Sequence, residues 1–128
     1  MTTPFWCLLV ASFIPFVLGF VSHYFRYKQL GSIDNKYPRL QQAQLTGAGA
    51  RAQAAEENAF EALPVFAAAV FVAHLAGANA GTAALLSMMF VAARLLHAIA
   101  YLANIDLLRT LVFGVGLVCC IGLFVIST

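Results

Sequence analysis

RAQAAEENAFEALPVFAAAVF, residues 51–71, starts as a polar, alanine-rich helix and runs without a break into apolar sequence, carrying Asn58 and Glu61 in with it. An ionised carboxylate at membrane depth costs about 3 kcal/mol or more unless it is paired, so such residues face a bundle interior and mark functional sites. In helical register Asn58, Glu61 and Ala62 share one face, and Arg51 lies two turns before Asn58 on the same stripe. A carboxylate, an amide and a guanidinium therefore point the same way. Pro64, three residues past Glu61, frees a carbonyl one turn earlier and is expected to kink the helix beside this polar cluster.

The rest of the chain places that helix in a membrane. Its 128 residues are 62% hydrophobic and 9% charged, with a mean hydropathy of +0.89, far from the balance of an ordinary soluble domain. At about 20 apolar residues per span, this length has room for four helices and little else. The sequence therefore predicts an all-α, integral membrane four-helix bundle, a single four-span transmembrane domain over residues 1–128 with spans at about 4–25, 55–76, 82–103 and 107–126. Residues 1–25 lack the basic start and small-residue cleavage site of a removable signal peptide and read as a retained first span. His23, Tyr24, Arg26, Tyr27 and Lys28 close it with an interfacial belt. GSIDNKYPR, residues 31–39, reads as an exposed connection, with helix resuming at Leu40 and only weakly interrupted by Gly47 and Gly49. GANAG, residues 77–81, and residues 104–106 are short turns between antiparallel neighbours.

Charge placement orients the bundle. All seven Lys and Arg lie between the first two spans, in the later half of the third, or at the start of the fourth. By the positive-inside rule both termini lie outside and loops one and three face the cytoplasm. The formal charge of +2 is too small and too local for nucleic-acid binding. Cys7, Cys119 and Cys120 sit in apolar segments without metal or redox spacing and read as packing residues, so no metal site is expected.

The third span repeats the pattern of the second. Arg94, His97 and Tyr101 stand at i, i+3 and i+7 on one face, and Arg109 follows just across the turn. With Asn58 and Glu61 they make up two arginines, a carboxylate, an amide, an imidazole and a phenol at one membrane level. This inventory suits a small zwitterionic ligand with several carboxylates: arginine grips carboxylates bidentately, and Glu61 would take an ammonium group. Arginine beside a bound thiol also favours the thiolate. The competing reading is a Glu61–Arg94 ion pair that sets helix register and nothing more. The pair alone divides evenly between the two readings, and the full set of six tips the balance toward a site. His97 or Tyr101 by itself is more often an interior histidine or an interface anchor. His74 reads as interfacial, Glu56 and Glu57 as a solvated face with Glu57 the weaker site candidate, and Trp6 and the phenylalanines as belt and lipid-facing residues.

RAQAAEENAFEALPVF followed by ARLLHAIAYL and then LRT resembles the MAPEG family, membrane-associated proteins in eicosanoid and glutathione metabolism, over nearly the whole chain. N-x-x-E-x-x-P (Asn58, Glu61, Pro64) and R-x-x-H-x-x-x-Y (Arg94, His97, Tyr101) carry the likeness, and the second motif is similar to that of the microsomal prostaglandin E synthases. The resemblance implies a prokaryotic-type member in a bacterial inner membrane, assembled as a homotrimer with glutathione bound between subunits near the cytoplasmic face. It implies that Asn58, Glu61, Arg94, His97, Tyr101 and Arg109 contact glutathione, with Arg109 stabilising the thiolate. Thr110 stands where one branch has a serine, and Arg26 matches a basic residue reaching the neighbouring subunit's site. Arg51 is the arginine nearest to the position four before Asn58, where several members carry one and this chain has Ala54. Glu57 replaces a basic residue found in some members, and Ala62 a tyrosine of one branch.

Three functions are then in view. The leading one is a glutathione-dependent transferase or peroxidase that turns the thiolate on a lipophilic small molecule arriving from the bilayer, among the membrane lipids. The alternative is a non-catalytic lipid-binding or regulatory membrane protein of the same fold, which Ala54 and Glu57 favour and the retained Arg94, His97, Tyr101 and Arg109 oppose. A small multidrug transporter ranks last, because that family carries its glutamate in the first span, where this chain has no acid.

Overall fold

A computed structural model describes all of residues 1–128 and contains only helices: α1 (Thr3–Leu30), α2 (Pro38–Gln42), α3 (Gly47–Leu75), α4 (Ala80–Leu102) and α5 (Asp106–Val125). All but α2 are long and apolar enough to cross a membrane. They run alternately up and down, so both chain ends lie at one end of the bundle and the α1–α3 and α4–α5 connections at the other, the end that holds the cations. α1 packs chiefly on α3 and α4 on α5, with α3 and α4 in contact between the two pairs.

Local chemistry explains where each helix begins and ends. Pro4 opens α1, where a missing N–H costs nothing, and Gly31 ends it in the left-handed conformation (φ 79°), its N–H donating to the Tyr27 carbonyl at 2.9 Å. Asn79 starts α4, its Oδ1 accepting from the Thr82 N–H at 3.0 Å. Asn104 (φ 59°) turns the chain between α4 and α5, a conformation that asparagine tolerates better than most residues. α3 continues unbroken through Pro64.

One expectation is corrected in the first connection. Helix is present at Leu40 but does not continue to Gly47: α2 lasts five residues, the chain opens at 43–46, and α3 starts afresh at Gly47 with a positive φ of 51° and runs unbroken through Gly49. The reason is tertiary. Gln29, at the end of α1, clamps the break by donating from Nε2 to the Thr46 carbonyl (3.0 Å) and accepting from the Thr46 N–H through Oε1 (3.1 Å).

Small residues let the helices approach closely. The main core joins Cys7 and Ala11 of α1 to Phe66, Ala69, Val70 and Ala73 of α3, Phe90 of α4, and Cys119, Cys120 and Leu123 of α5. Cys7 and Cys119 are thus packed in the apolar interior, with Cys120 buried beside them. Phe66 and Phe90 stack with ring centroids 3.9 Å apart, tying α3 to α4 at mid-depth. A second, smaller core of Ile14, Leu18, Ala55 and Ala59 lies toward the basic end. Between the two levels the helices do not close completely.

Candidate functional site

That gap is a cavity of about 200 Å³ between α3, α4 and α5. Asn58 and Glu61 reach it from α3, Arg94 and Phe90 from α4, and Phe113, Gly116 and Cys120 from α5. Gly116 makes the room: a side chain there would start 3.7 Å from the Phe90 ring and grow into the space. Val65, Phe113 and Leu117 belong both to the cavity wall and to the exposed apolar surface of the chain, so the opening faces the bilayer side of the helices or a neighbouring chain.

Arg94 is the central group. It is buried, with only 5% of the residue exposed, and Nη2 donates to Asn58 Oδ1 at 2.7 Å. It takes no other protein acceptor, so most of its five N–H donors remain available. The Glu61–Arg94 ion pair weighed from the sequence does not form: Glu61 stays exposed on the same cavity wall while the arginine turns to the amide.

One turn along α4, His97 is buried and packs edge-on against Tyr101, with ring centroids 5.5 Å apart. The Arg109 guanidinium lies over the Tyr101 ring at 4.4 Å from its centroid, a cation–π contact that joins the start of α5 to the end of α4. Phe113 links this strip to the cavity, because it lines the cavity and also sits 6.2 Å from the His97 ring. His97 Nδ1 is buried and has no partner, which is uncommon in a folded interior.

Six of the sequence-selected residues therefore fall into two adjoining groups: Asn58, Glu61 and Arg94 around the cavity, and His97, Tyr101 and Arg109 in the aromatic strip beside it. The other two lie elsewhere. Arg51 is half-buried with its Nε unpartnered and does not line the cavity. Arg26 is 1% exposed and turned inward, donating from Nε to Gln41 Oε1 at 2.9 Å and from Nη2 to the Asp34 carbonyl at 3.2 Å.

Sequence reasoning missed Cys120, Phe113 and Gly116 as cavity residues, because in an all-apolar helix nothing local separates a cavity wall from a packed or lipid-facing one. It also missed a polar seam between α1 and α3, where Ser22 Oγ donates to Gln53 Oε1 (2.8 Å) and Gln53 Nε2 donates to Glu57 Oε1 (3.1 Å). A signal for the seam was present: Ser22 and Arg26 on α1, and Gln53 and Glu57 on α3, are both i, i+4 pairs.

The MAPEG family model matches residues 3–128. No curated protein and no solved structure matches the chain.

Proposed function

The chain belongs to the MAPEG family of membrane-associated proteins in eicosanoid and glutathione metabolism, and we propose that it is a glutathione-dependent membrane transferase or peroxidase. The observation that carries this reading is the buried Arg94, held in place by Asn58 and with free donors beside an open volume. A guanidinium removed from water and left without an anion is unfavourable, whereas a bidentate carboxylate contact there would be strong. The residues present suit glutathione: Arg94 would take a carboxylate, Glu61 an ammonium group, and the amide of Asn58 keeps the guanidinium oriented. Glutathione supplies the thiol. Arg109, fixed over Tyr101, would favour the thiolate, and the lipophilic reactant would enter between Val65, Phe113 and Leu117 from the apolar surface.

A cavity of about 200 Å³ is smaller than the roughly 300 to 1,000 Å³ usual for small-molecule sites. A neighbouring chain in a homotrimer would supply the missing wall. The basic end of the bundle, with the site close to it, faces the cytoplasm in this reading, and a reporter fused after Thr128 should report from the opposite side.

Titrating the purified protein with glutathione in a calorimeter, and assaying thiol conjugation to an aryl halide and reduction of a lipid hydroperoxide, tests the proposal. Saturable binding with turnover is expected. Absence of both would overturn the reading.

One observation favours the non-catalytic alternative. Glu57 stands where the resemblance leads to a base, and Gln53 holds its Oε1 on the α1 side, away from the cavity lining, so that position offers no cation to a carboxylate ligand. Lipid retention without glutathione binding in the same titration would select it.

A further inference from the structure

We propose that the connection between α1 and α3 is a preorganised binding site for the phosphate headgroup of anionic glycerophospholipids. From Pro4 the first 22 residues of α1 span about 33 Å at 1.5 Å per residue, slightly more than the hydrocarbon thickness of about 30 Å. The last turns of α1 and the connection that follows therefore lie at headgroup depth. There Lys28 Nζ sits over the Tyr24 ring and Lys36 Nζ over the Tyr37 ring, each 5.6 Å from the centroid. Arg39 follows one turn later, and all three cations are exposed.

None of the three forms an ion pair, although the Glu56 carboxylate of α3 lies within coulombic range of Arg39, whose Nη1 donates to Gln42 Oε1 at 3.0 Å. Asp34 is the one acidic residue of the connection, and its Oδ1 is already occupied by the Lys36 N–H (2.9 Å) and the Tyr37 N–H (3.0 Å). The connection is also held in shape. Gln41, 8% exposed, accepts from Arg26 Nε and from the Asp34 N–H, both at 2.9 Å, and donates to the Ser32 carbonyl at 2.8 Å. Arg26 is thereby used up internally, and the outward charges are those of Lys28, Lys36 and Arg39. Leu40, 67% exposed between Arg39 and the buried Gln41, supplies an apolar point beside the cations, as a surface facing lipid needs.

Charge complementarity selects the occupant. The opposite end of the bundle, with the turn at 77–81 and both termini, carries no Lys or Arg. The attraction thus acts on one leaflet only, and its partner is the anionic lipid of that leaflet. Tyrosine rings under the lysines hold the cations at the interface, where each basic residue near an anionic surface is worth on the order of fivefold in affinity.

The test uses the full chain in nanodiscs containing equal phosphatidylglycerol and phosphatidylcholine, with native mass spectrometry of the lipids that stay bound. The wild type is expected to retain phosphatidylglycerol by on the order of tenfold or more over phosphatidylcholine, and added salt should reduce the ratio. The combined variant Lys28→Gln, Lys36→Gln, Arg39→Gln should bring it close to one while helicity and thermal unfolding stay unchanged. Should that variant fold poorly, the single exposed change Lys36→Glu should still lower the ratio. No preference in the wild type, or an undiminished one in a folded variant, would overturn the proposal. Inorganic phosphate titrated alone should show no saturable binding, and saturable binding would overturn the assignment to lipid.

Discussion

Arg26 and Arg94 are both buried arginines in membrane helices, yet their surroundings differ. Arg26 belongs to a seam on the α1 side in which donors and acceptors are matched: Ser22 to Gln53, Gln53 to Glu57, and Arg26 to Gln41 and the Asp34 carbonyl. One Glu56 oxygen, on the carboxylate packed against Gly19, is the exception. Arg94 donates to Asn58 and then faces open space. The first arrangement has the character of interhelical glue, in which each polar group removes a neighbour's desolvation cost. The second leaves binding capacity unused beside a volume that can hold a guest. Burial of a charge does not by itself separate the two, whereas the count of unsatisfied donors next to free space does.

The largest effect that would break this contrast is on the cavity side. Arg94→Ala should weaken glutathione binding by on the order of 100-fold, about 3 kcal/mol, by removing a charge-assisted bidentate contact. Calorimetric titration reads it, and an unchanged affinity would make Arg94 as purely structural as Arg26. Next in size, Gln41→Ala should destabilise the fold by about 2 kcal/mol, because it leaves Arg26 Nε and the Asp34 N–H without their acceptor. Thermal unfolding in detergent should shift while glutathione affinity does not.

Gly116→Leu sharpens the comparison from the side of shape. Its Cβ would meet Phe90 at an ordinary 3.7 Å, so the fold should tolerate it while the longer side chain occupies the cavity. Glutathione affinity should fall by about tenfold or more, roughly 1.4 kcal/mol, with the unfolding midpoint nearly unmoved. The smallest effect belongs to the seam. Ser22→Ala should cost about 0.6 kcal/mol, the average for an interhelical hydrogen bond in a membrane protein, and a double-mutant cycle with Gln53→Ala should recover that coupling. A much larger coupling would mean that the seam acts as one network.

Much of the architecture was legible in the sequence, for reasons that can be stated residue by residue. The long helices follow from apolar runs, the turn at 77–81 from its glycines and Asn79, and the shared face of Arg94, His97 and Tyr101 from i, i+3, i+7 spacing. The first connection was not legible. Nothing near Leu40 announces that Gln41 will be buried and satisfy Arg26 fifteen residues away, or that Gln29 will clamp Thr46. The site was half legible. Asn58, Glu61 and Arg94 stand out because polar residues in apolar helices are rare, but Gly116, Phe113 and Cys120 look like their neighbours.

What the chain determined unaided is four apolar helices in alternating direction, with the cations at one end and the ionisable side chains on particular helix faces. Hydropathy and the 3.6-residue period are local quantities that survive any packing. Tertiary structure alone decided which groups on those faces meet: Arg94 with Asn58 instead of Glu61, Arg26 with Gln41, Arg109 over Tyr101. Such pairings depend on the depth and rotation of each helix against the next, and those are set by how alanines, glycines and the Phe66–Phe90 stack let the backbones approach, a property of pairs of helices that no single helix encodes.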